Sequence, residues 1–476
     1  MAAPAPPSIL PTSALGVGVE AYVAVRAATN AGIADARATF EYSLSAPSAD
    51  VGFMLFAGLE PLLDALERFK PKTDELAWLE SVGVLDSTTR RRLADIRFAC
   101  DVDAAPEGSV VFGDEPVLTV EGPYWQAQLV GALVEAALGD ATLVATRIAR
   151  CVSAADGAVI LETTSANARR LGGAPLLARA AYIAGAHATT SALAGKRYGV
   201  PVRALQSAHI ARAVSGERAL FDAWIAASPR GAVVRLDSRS PRESLEHLIA
   251  AARAFKDSSD WDDGPLGVEV DAADAPELAR DVTLAFEEAG LRPPEIIVAG
   301  ARDEIAILEL RRQSAPIAAF CASTHVNVDA STLSRYALVA LEEDGAWAPR
   351  AQASRAGDPA RKMIIRYLDA DQRPVADVAH LANERIVRAR DGRYVDRATD
   401  IATQLRGATS SAPLLGNVMR AGKRAAPPEP SRIIRQRALK ALAALPSRFR
   451  RLASPARYPV GVSIALATLR EELTRK

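Results

Sequence analysis

The chain reads as an α/β protein with a central stretch of alternating strands and helices, bracketed by segments of mixed pattern. Three observations predict this. From Gly157 onward, short apolar runs recur at Ala158–Glu162, Pro201–Leu205, Ala232–Leu236, Leu266–Val270, Glu295–Ala299 and Ile317–Cys321. Between them lie amphipathic stretches of helical period. Arg242–Phe255, with Leu245, Leu248, Ile249 and Ala252 on one stripe, is the clearest; Pro276–Ala289 and Arg302–Arg312 follow the same pattern. At 476 residues, 49% of them hydrophobic, the chain is long enough for two or three domains with sizeable cores. Such alternation predicts a parallel sheet or barrel.

The elements follow in order. MAAPAPPSILPTS lacks a basic region and an apolar segment, so residues 1–12 read as a disordered Pro/Ala tail and not a signal peptide. Helical spacing runs through Gly18–Ala31, and alternation at Thr39–Leu44 predicts a strand. Leu55–Phe69 has helical spacing. Ser109–Phe112 and Pro116–Val120 read as strands, Glu121–Pro123 as a loop, and a long helix opens near Tyr124. Its apolar run, 129–148, is interrupted by Glu135 and Asp140, which predicts a buried helix and no membrane span. Within the central stretch, residues 174–209 read as a strand, a Thr-Thr-Ser turn, a helix and a second strand that leads to His209. Short strands return at Tyr336–Leu341 and Met363–Leu368. Residues 417–457 are dense in Arg, but Leu, Ile and Ala interleave at helical spacing; a solvated helix face is the plainer reading than a nucleic-acid arm.

Composition narrows the function. The 57 basic and 57 acidic residues cancel, so net charge predicts no polyanionic partner. Cys100, Cys151 and Cys321 are scattered and odd in number, with neither a disulfide framework nor zinc spacing, as expected of a reducing, cytoplasmic setting. In a barrel, ligand groups sit at the carboxyl ends of strands. Those ends are Glu162, Gln206 to His209, Asp237, Asp271, Gly300 and Ser323-Thr324, a mostly polar set.

Several segments resemble nicotinate phosphoribosyltransferases: Phe40–Leu44 followed by Phe56–Glu60, Glu115–Pro123, Ala180–Gly185, Thr190–Pro201 and the C-terminal Tyr458–Leu473. They span nearly the whole chain in the family's order. The resemblance implies an irregular α/β barrel of the type II phosphoribosyltransferase kind, plus an α/β sandwich module built from N- and C-terminal segments. The expected boundaries are 13–145 for the N-terminal part of the sandwich module, 146–335 for the barrel and 336–476 for the segment that completes the sandwich and ends in helices. The implied reaction joins nicotinate to phosphoribosyl pyrophosphate, coupled to ATP through a phosphorylated histidine, with Mg2+ accompanying the phosphates, in a homodimer. This is a salvage step toward NAD.

Carried over position by position, His209 falls where the family's phosphorylated histidine lies, reached through Gln206-Ser207-Ala208. A lone loop histidine also reads as a surface residue. Asp271 and Asp274 keep the family's aspartate spacing and could face the sugar or Mg2+; Asp274 also reads as the cap of the helix from Pro276. Thr190 and Ser191 keep the family's Thr-Ser, as helix cap, phosphate contact or both. Glu162 opens the segment of the family's paired arginines; either Ala166 and Asn167, or the shifted Arg169 and Arg170, occupy those positions. Gly300 survives from one phosphate loop and Thr324, beside Ser323, from another.

Other positions depart from the family. Glu269 stands where it has Arg, Cys321 and Ser323 where it has Gly, and Glu20 where a Tyr stacks on the pyridine ring, with Tyr22 on the wrong helix face. These departures predict weak phosphoribosyl pyrophosphate binding, improved by Glu269→Arg. They also keep open an enzyme with a different acceptor and a catalytically silent binding or regulatory relative.

Overall fold

The computed structural model describes residue 10 and residues 16–163, 173–207, 209–228, 231–236, 240–256, 266–301, 303–322, 333–350, 357–386 and 392–475. The chain forms two compact units, one of residues 1–146 with 326–476, the other of residues 147–325. The division falls inside the helix Gly131–Ala155.

In the first unit, Arg37–Leu44 pairs antiparallel with Ser334–Glu343 on one side and Pro116–Pro123 on the other. All but its first residue are buried, as expected of a central strand rich in aromatic and β-branched side chains. The sheet continues through Asp101–Ala104 to Gly416–Arg420, so N- and C-terminal parts of the chain share one hydrogen-bonded ladder. A second sheet is built wholly from C-terminal strands, with Pro374–Leu381 between Lys362–Leu368 and Val460–Ser463. These shared N- and C-terminal strands form the sandwich module that the resemblance implies.

Local departures have local causes. Leu55 lies in the short strand Met54–Leu55, and the helix begins only at Leu59. The expected loop Glu121–Pro123 is the end of the strand Pro116–Pro123. Gly122 permits this: a Cβ there would come within 2.5 Å of the Cys100 sulfur. The helix Ser431–Ala444 buries Ser431, Ile434 and Ala438 and leaves most of its Arg and Lys at least partly exposed, as its spacing predicts.

In the second unit, the described strands form one parallel sheet in the order Ala188–Thr189, Val159–Glu162, Ile317–Ala322, Glu295–Ala299, Gly267–Asp271, Val233–Arg235. Ala188 and Val233 come from opposite edges, yet they share one buried cluster with Leu161, Ile297, Ala319 and Cys321. The sheet is therefore curled, with this cluster inside the curl. Residues 201–206 run between the edges. Val202 bridges to Thr189, and the Arg235 N–H donates to Gln206 Oε1 at 2.9 Å. The result is an irregular, incompletely laddered barrel.

Two expectations need correction here. Pro201–Leu205 makes only the single bridge at Val202 and is not a regular strand. The expected strand after residue 174 is the helix Ala174–Ile183. Ala, Leu and Arg favour helix, and Pro175 sits in its first turn, where no N–H is needed.

Candidate active site

Strand alternation sorts the side chains at the carboxyl end of the curled sheet. Glu269 pairs in register with Arg235 and Ile297, so it shares the inner face with the buried cluster. Asp271, two residues on, faces the same way and is in register with Ala299. Exposure rises along this face: the Glu269 side chain is 8% exposed, those of Arg235 and Asp271 44% each. The inner surface thus opens into a mouth at the level of Asp271.

Three charges meet there. The Arg235 guanidinium donates to Asp271 Oδ1 at 2.7 Å and stands 3.6 Å from Glu269 Oε1. Burial pushes the Glu269 carboxyl above its ordinary range; Arg235 opposes the shift and Asp271 adds to it. Cys321 lies on the same inner face. Burial, then Glu269, push its thiol up to about 12, against the pull of Arg203 and Arg235. Arg203 instead reaches toward the amino end, where it donates to Glu295 at 2.8 Å. It passes Gly267, where a Cβ would sit 3.3 Å from its guanidinium and 2.9 Å from Ile297.

Arg235 escaped the reading of the sequence. It sits inside the run Ala232–Leu236, and its partners lie on a strand more than thirty residues later. Only the register of two parallel strands reveals the set.

The predicted residues separate into groups. Asp271, Asp274 and Gly300 adjoin one another: the Asp274 N–H donates to Asp271 O, and a Cβ on Gly300, at φ +79°, would stand 3.9 Å from that of Ala272. Asp274 stands at the start of the helix Ala275–Glu288 but makes no side-chain cap bond, so its exposed carboxylate is not spent on the helix. His209 is exposed, and its N–H donates to Ser207 Oγ at 3.2 Å. It follows Gln206, whose side chain is bonded to Arg235. Gln206 and Asp271 therefore belong to the same end of the sheet, and His209 follows three residues after Gln206 in the chain.

Glu162 behaves differently. It alternates with inward-facing Leu161, and its carboxylate accepts from Thr189 Oγ1, which alternates with inward-facing Ala188. Glu162 is thus buried on the outer face and braces the next strand, instead of lining the mouth. The Ser191 N–H donates to Thr189 Oγ1, and Ser191 Oγ accepts the Ala194 N–H as the cap of Ala192–Tyr198. The capping reading of Ser191 holds. Thr190 has the parity of Ala188, and its buried Oγ1 has no hydrogen-bond partner among the described residues. A hydroxyl of this kind is set for a ligand or water. Arg169, Arg170, Ser323 and Thr324 lie outside the described residues. Tyr22 is fully buried in the first unit, in agreement with its exclusion as a ring lid.

The curled parallel sheet with its polar carboxyl end is the irregular barrel that the resemblance to type II phosphoribosyltransferases implies. The nicotinate phosphoribosyltransferase N-terminal domain family matches residues 22–138, and the C-terminal domain family residues 361–470. A nicotinate phosphoribosyltransferase of Mycobacterium tuberculosis is 30% identical over 320 residues, covering 67% of this chain and 68% of the relative. One from Bacillus subtilis is 28% identical, over 71% of this chain and 70% of the relative. The human nicotinic acid phosphoribosyltransferase structure superposes with a TM-score of 0.81 over 96% of this chain and 99% of that one, at 24% identity. The chain belongs to the nicotinate phosphoribosyltransferase family. Among the described residues, no helix is long and apolar enough to cross a membrane.

Proposed function

We propose that the protein transfers the phosphoribosyl group of phosphoribosyl pyrophosphate to nicotinate, giving nicotinate mononucleotide and pyrophosphate, in the salvage of NAD. The observation that carries this reading is the placement of Asp271, Asp274, Gly300 and the approach to His209 at one end of the parallel sheet, in a chain of this family. Family membership supports this reading over the different-acceptor and catalytically silent alternatives.

Cleavage at the ribose C1 builds positive charge on the sugar and negative charge on the departing pyrophosphate. Asp271 is the carboxylate that stabilises the sugar side. Thr190 supplies a hydroxyl to the phosphates. His209, exposed beside the same end, is the imidazole that takes a phosphoryl group from ATP and couples its hydrolysis to the transfer. Mg2+ arrives with the substrate. Among the described residues no group of three or more His, Cys, Asp or Glu gathers as a metal cage. Asp274, exposed and not engaged in capping its helix, suits a magnesium ion that takes most of its ligands from phosphates and water, and the ion would neutralise the leaving group. The protein works in the cytoplasm as a homodimer.

The test is conversion of labelled nicotinate with phosphoribosyl pyrophosphate, with and without ATP. Product that depends on phosphoribosyl pyrophosphate and rises with ATP is expected. Transfer to another pyridine or base but never to nicotinate would overturn the acceptor.

A further inference from the structure

We infer that Arg235 is the cation that receives the phosphate-bearing end of the substrate, and that Asp271 holds it in place until the substrate displaces it. The inference rests on the functional reading above and adds a residue and an exchange to it.

Position is the first argument. Arg235 ends its strand on the inner face, in register with Glu269 on the next strand, and its backbone is fixed by Gln206. Of the two cations felt by Cys321, Arg203 points to Glu295 at the far end. Arg235 is the one at the mouth.

Chemistry is the second. A guanidinium carries five donors in a planar fork that fits carboxylate and phosphate alike. Asp271 takes one donor at 2.7 Å, and Glu269, at 3.6 Å, lies beyond a hydrogen bond. The remaining donors serve a half-exposed group. An ion pair this exposed is weak, so a multiply charged phosphate competes well for the guanidinium. When it does, Asp271 is released. Its carboxylate then faces the sugar with its charge no longer cancelled. Binding of the phosphate thereby turns on the group that stabilises the ribose.

The arrangement also revises what Glu269 means. A carboxylate where the family has an arginine reads in sequence as a lost phosphate site. In the fold, the guanidinium stands one strand over, at the same level of the ladder. A lone Glu269→Arg would set two guanidiniums side by side, and is expected to weaken binding or leave it unchanged.

The experiment is calorimetric titration of the full chain with phosphoribosyl pyrophosphate and Mg2+, alongside KM for each substrate. Arg235→Gln is expected to weaken phosphoribosyl pyrophosphate by about tenfold or more, while KM for nicotinate stays within about twofold. Arg235→Lys, which keeps charge without the fork, is expected to fall between the two. Arg235→Glu combined with Glu269→Arg transposes the pair and is expected to recover most of the affinity lost by Arg235→Glu alone. Arg235→Gln and Arg235→Lys that melt like the wild type and bind phosphoribosyl pyrophosphate within about twofold of it would overturn the inference alone. No binding by the wild type would overturn the functional reading and this inference with it.

Discussion

Two guanidinium–carboxylate clusters, one in each unit, are built from the same groups and sit in opposite surroundings. In the sandwich unit, Arg366 donates to both oxygens of Asp377, at 2.6 to 3.2 Å, and to the Val110 carbonyl. Glu115 lies 3.7 Å away, with its carboxylate accepting the Phe112 N–H. Tyr458 donates to Asp377 and stacks on Phe112 at 3.5 Å. The Asp377 side chain is fully buried. Burial, then Asp377, push the Glu115 carboxyl well above its ordinary range. At the barrel mouth, Arg235 and Asp271 form a similar pair, but each side chain is nearly half exposed. A buried pair is costly to break and fixes a fold. An exposed pair costs little to exchange, which is what a binding site requires.

Mutation of the two arginines gives the largest expected contrast. Arg366→Ala leaves Asp377 buried without its cation and is expected to cost about 3–5 kcal/mol, read by denaturant unfolding. Arg235→Ala is expected to cost about 0–1 kcal/mol in the same measurement while impairing substrate binding. Equal destabilisation by the two would erase the distinction between a structural and an exchangeable pair.

The same contrast explains what was legible in the sequence. Glu115–Pro123 and Tyr458–Leu473, two of the segments that resemble the family, carry contacts of the sandwich: Glu115 beside Arg366, Gly122 against Cys100, Tyr458 on Phe112. Both matched family segments also fall within this unit. The barrel strands were legible from their apolar runs and the helices from their stripes. The irregular part of the barrel was not. Ala174–Ile183 is apolar enough to read as a strand, and Val202 makes a single bridge that no periodicity announces. Of the candidate site, Asp271 and His209 were read as strand ends and Asp274 from the family's aspartate spacing, whereas Glu162 was assigned to the mouth because sequence does not tell the inner face of a strand from the outer. Arg235 was missed because its meaning lies in register with Glu269.

His209 tests the mouth at a finer level. Its side chain is exposed, and the bond to Ser207 Oγ is made by its backbone N–H, so His209→Ala should leave the melting temperature unchanged. Stimulation by ATP should disappear while phosphoribosyl pyrophosphate still binds. Steady-state rates with and without ATP check this, and undiminished stimulation in the variant would remove His209 from the coupling.

A smaller effect concerns pH. The folded-state pKa of Glu269 is raised above its ordinary value of 4.5, chiefly by burial. Below that value the side chain is protonated in both states, and its contribution to stability is fully present. As pH rises toward the folded value, the unfolded chain ionises first and stability falls. Glu269→Gln lacks this loss. Its advantage over the wild type should therefore grow as pH rises above about 4.5, as thermal melts would record. A constant or shrinking advantage would mean that attraction to Arg235 outweighs desolvation.

The cysteines provide the finest comparison between the units. Burial pushes Cys100, Cys151 and Cys321 each up to about 12, so at about pH 8 the thiolate is on the order of 10⁻⁴ of each, and the native protein should react very slowly with thiol reagents. The secondary causes differ. Beside Cys321 the next contribution is Glu269; beside Cys100 it is Asp101. Glu269→Gln removes a negative charge from the barrel interior alone. Cys321 labelling should then rise by about a few-fold, while Cys100 in the sandwich keeps its wild-type rate. Mass spectrometry after timed alkylation resolves the two sites. If both accelerate together, the substitution has loosened the chain generally, and the rise at Cys321 carries no information about charge at the mouth.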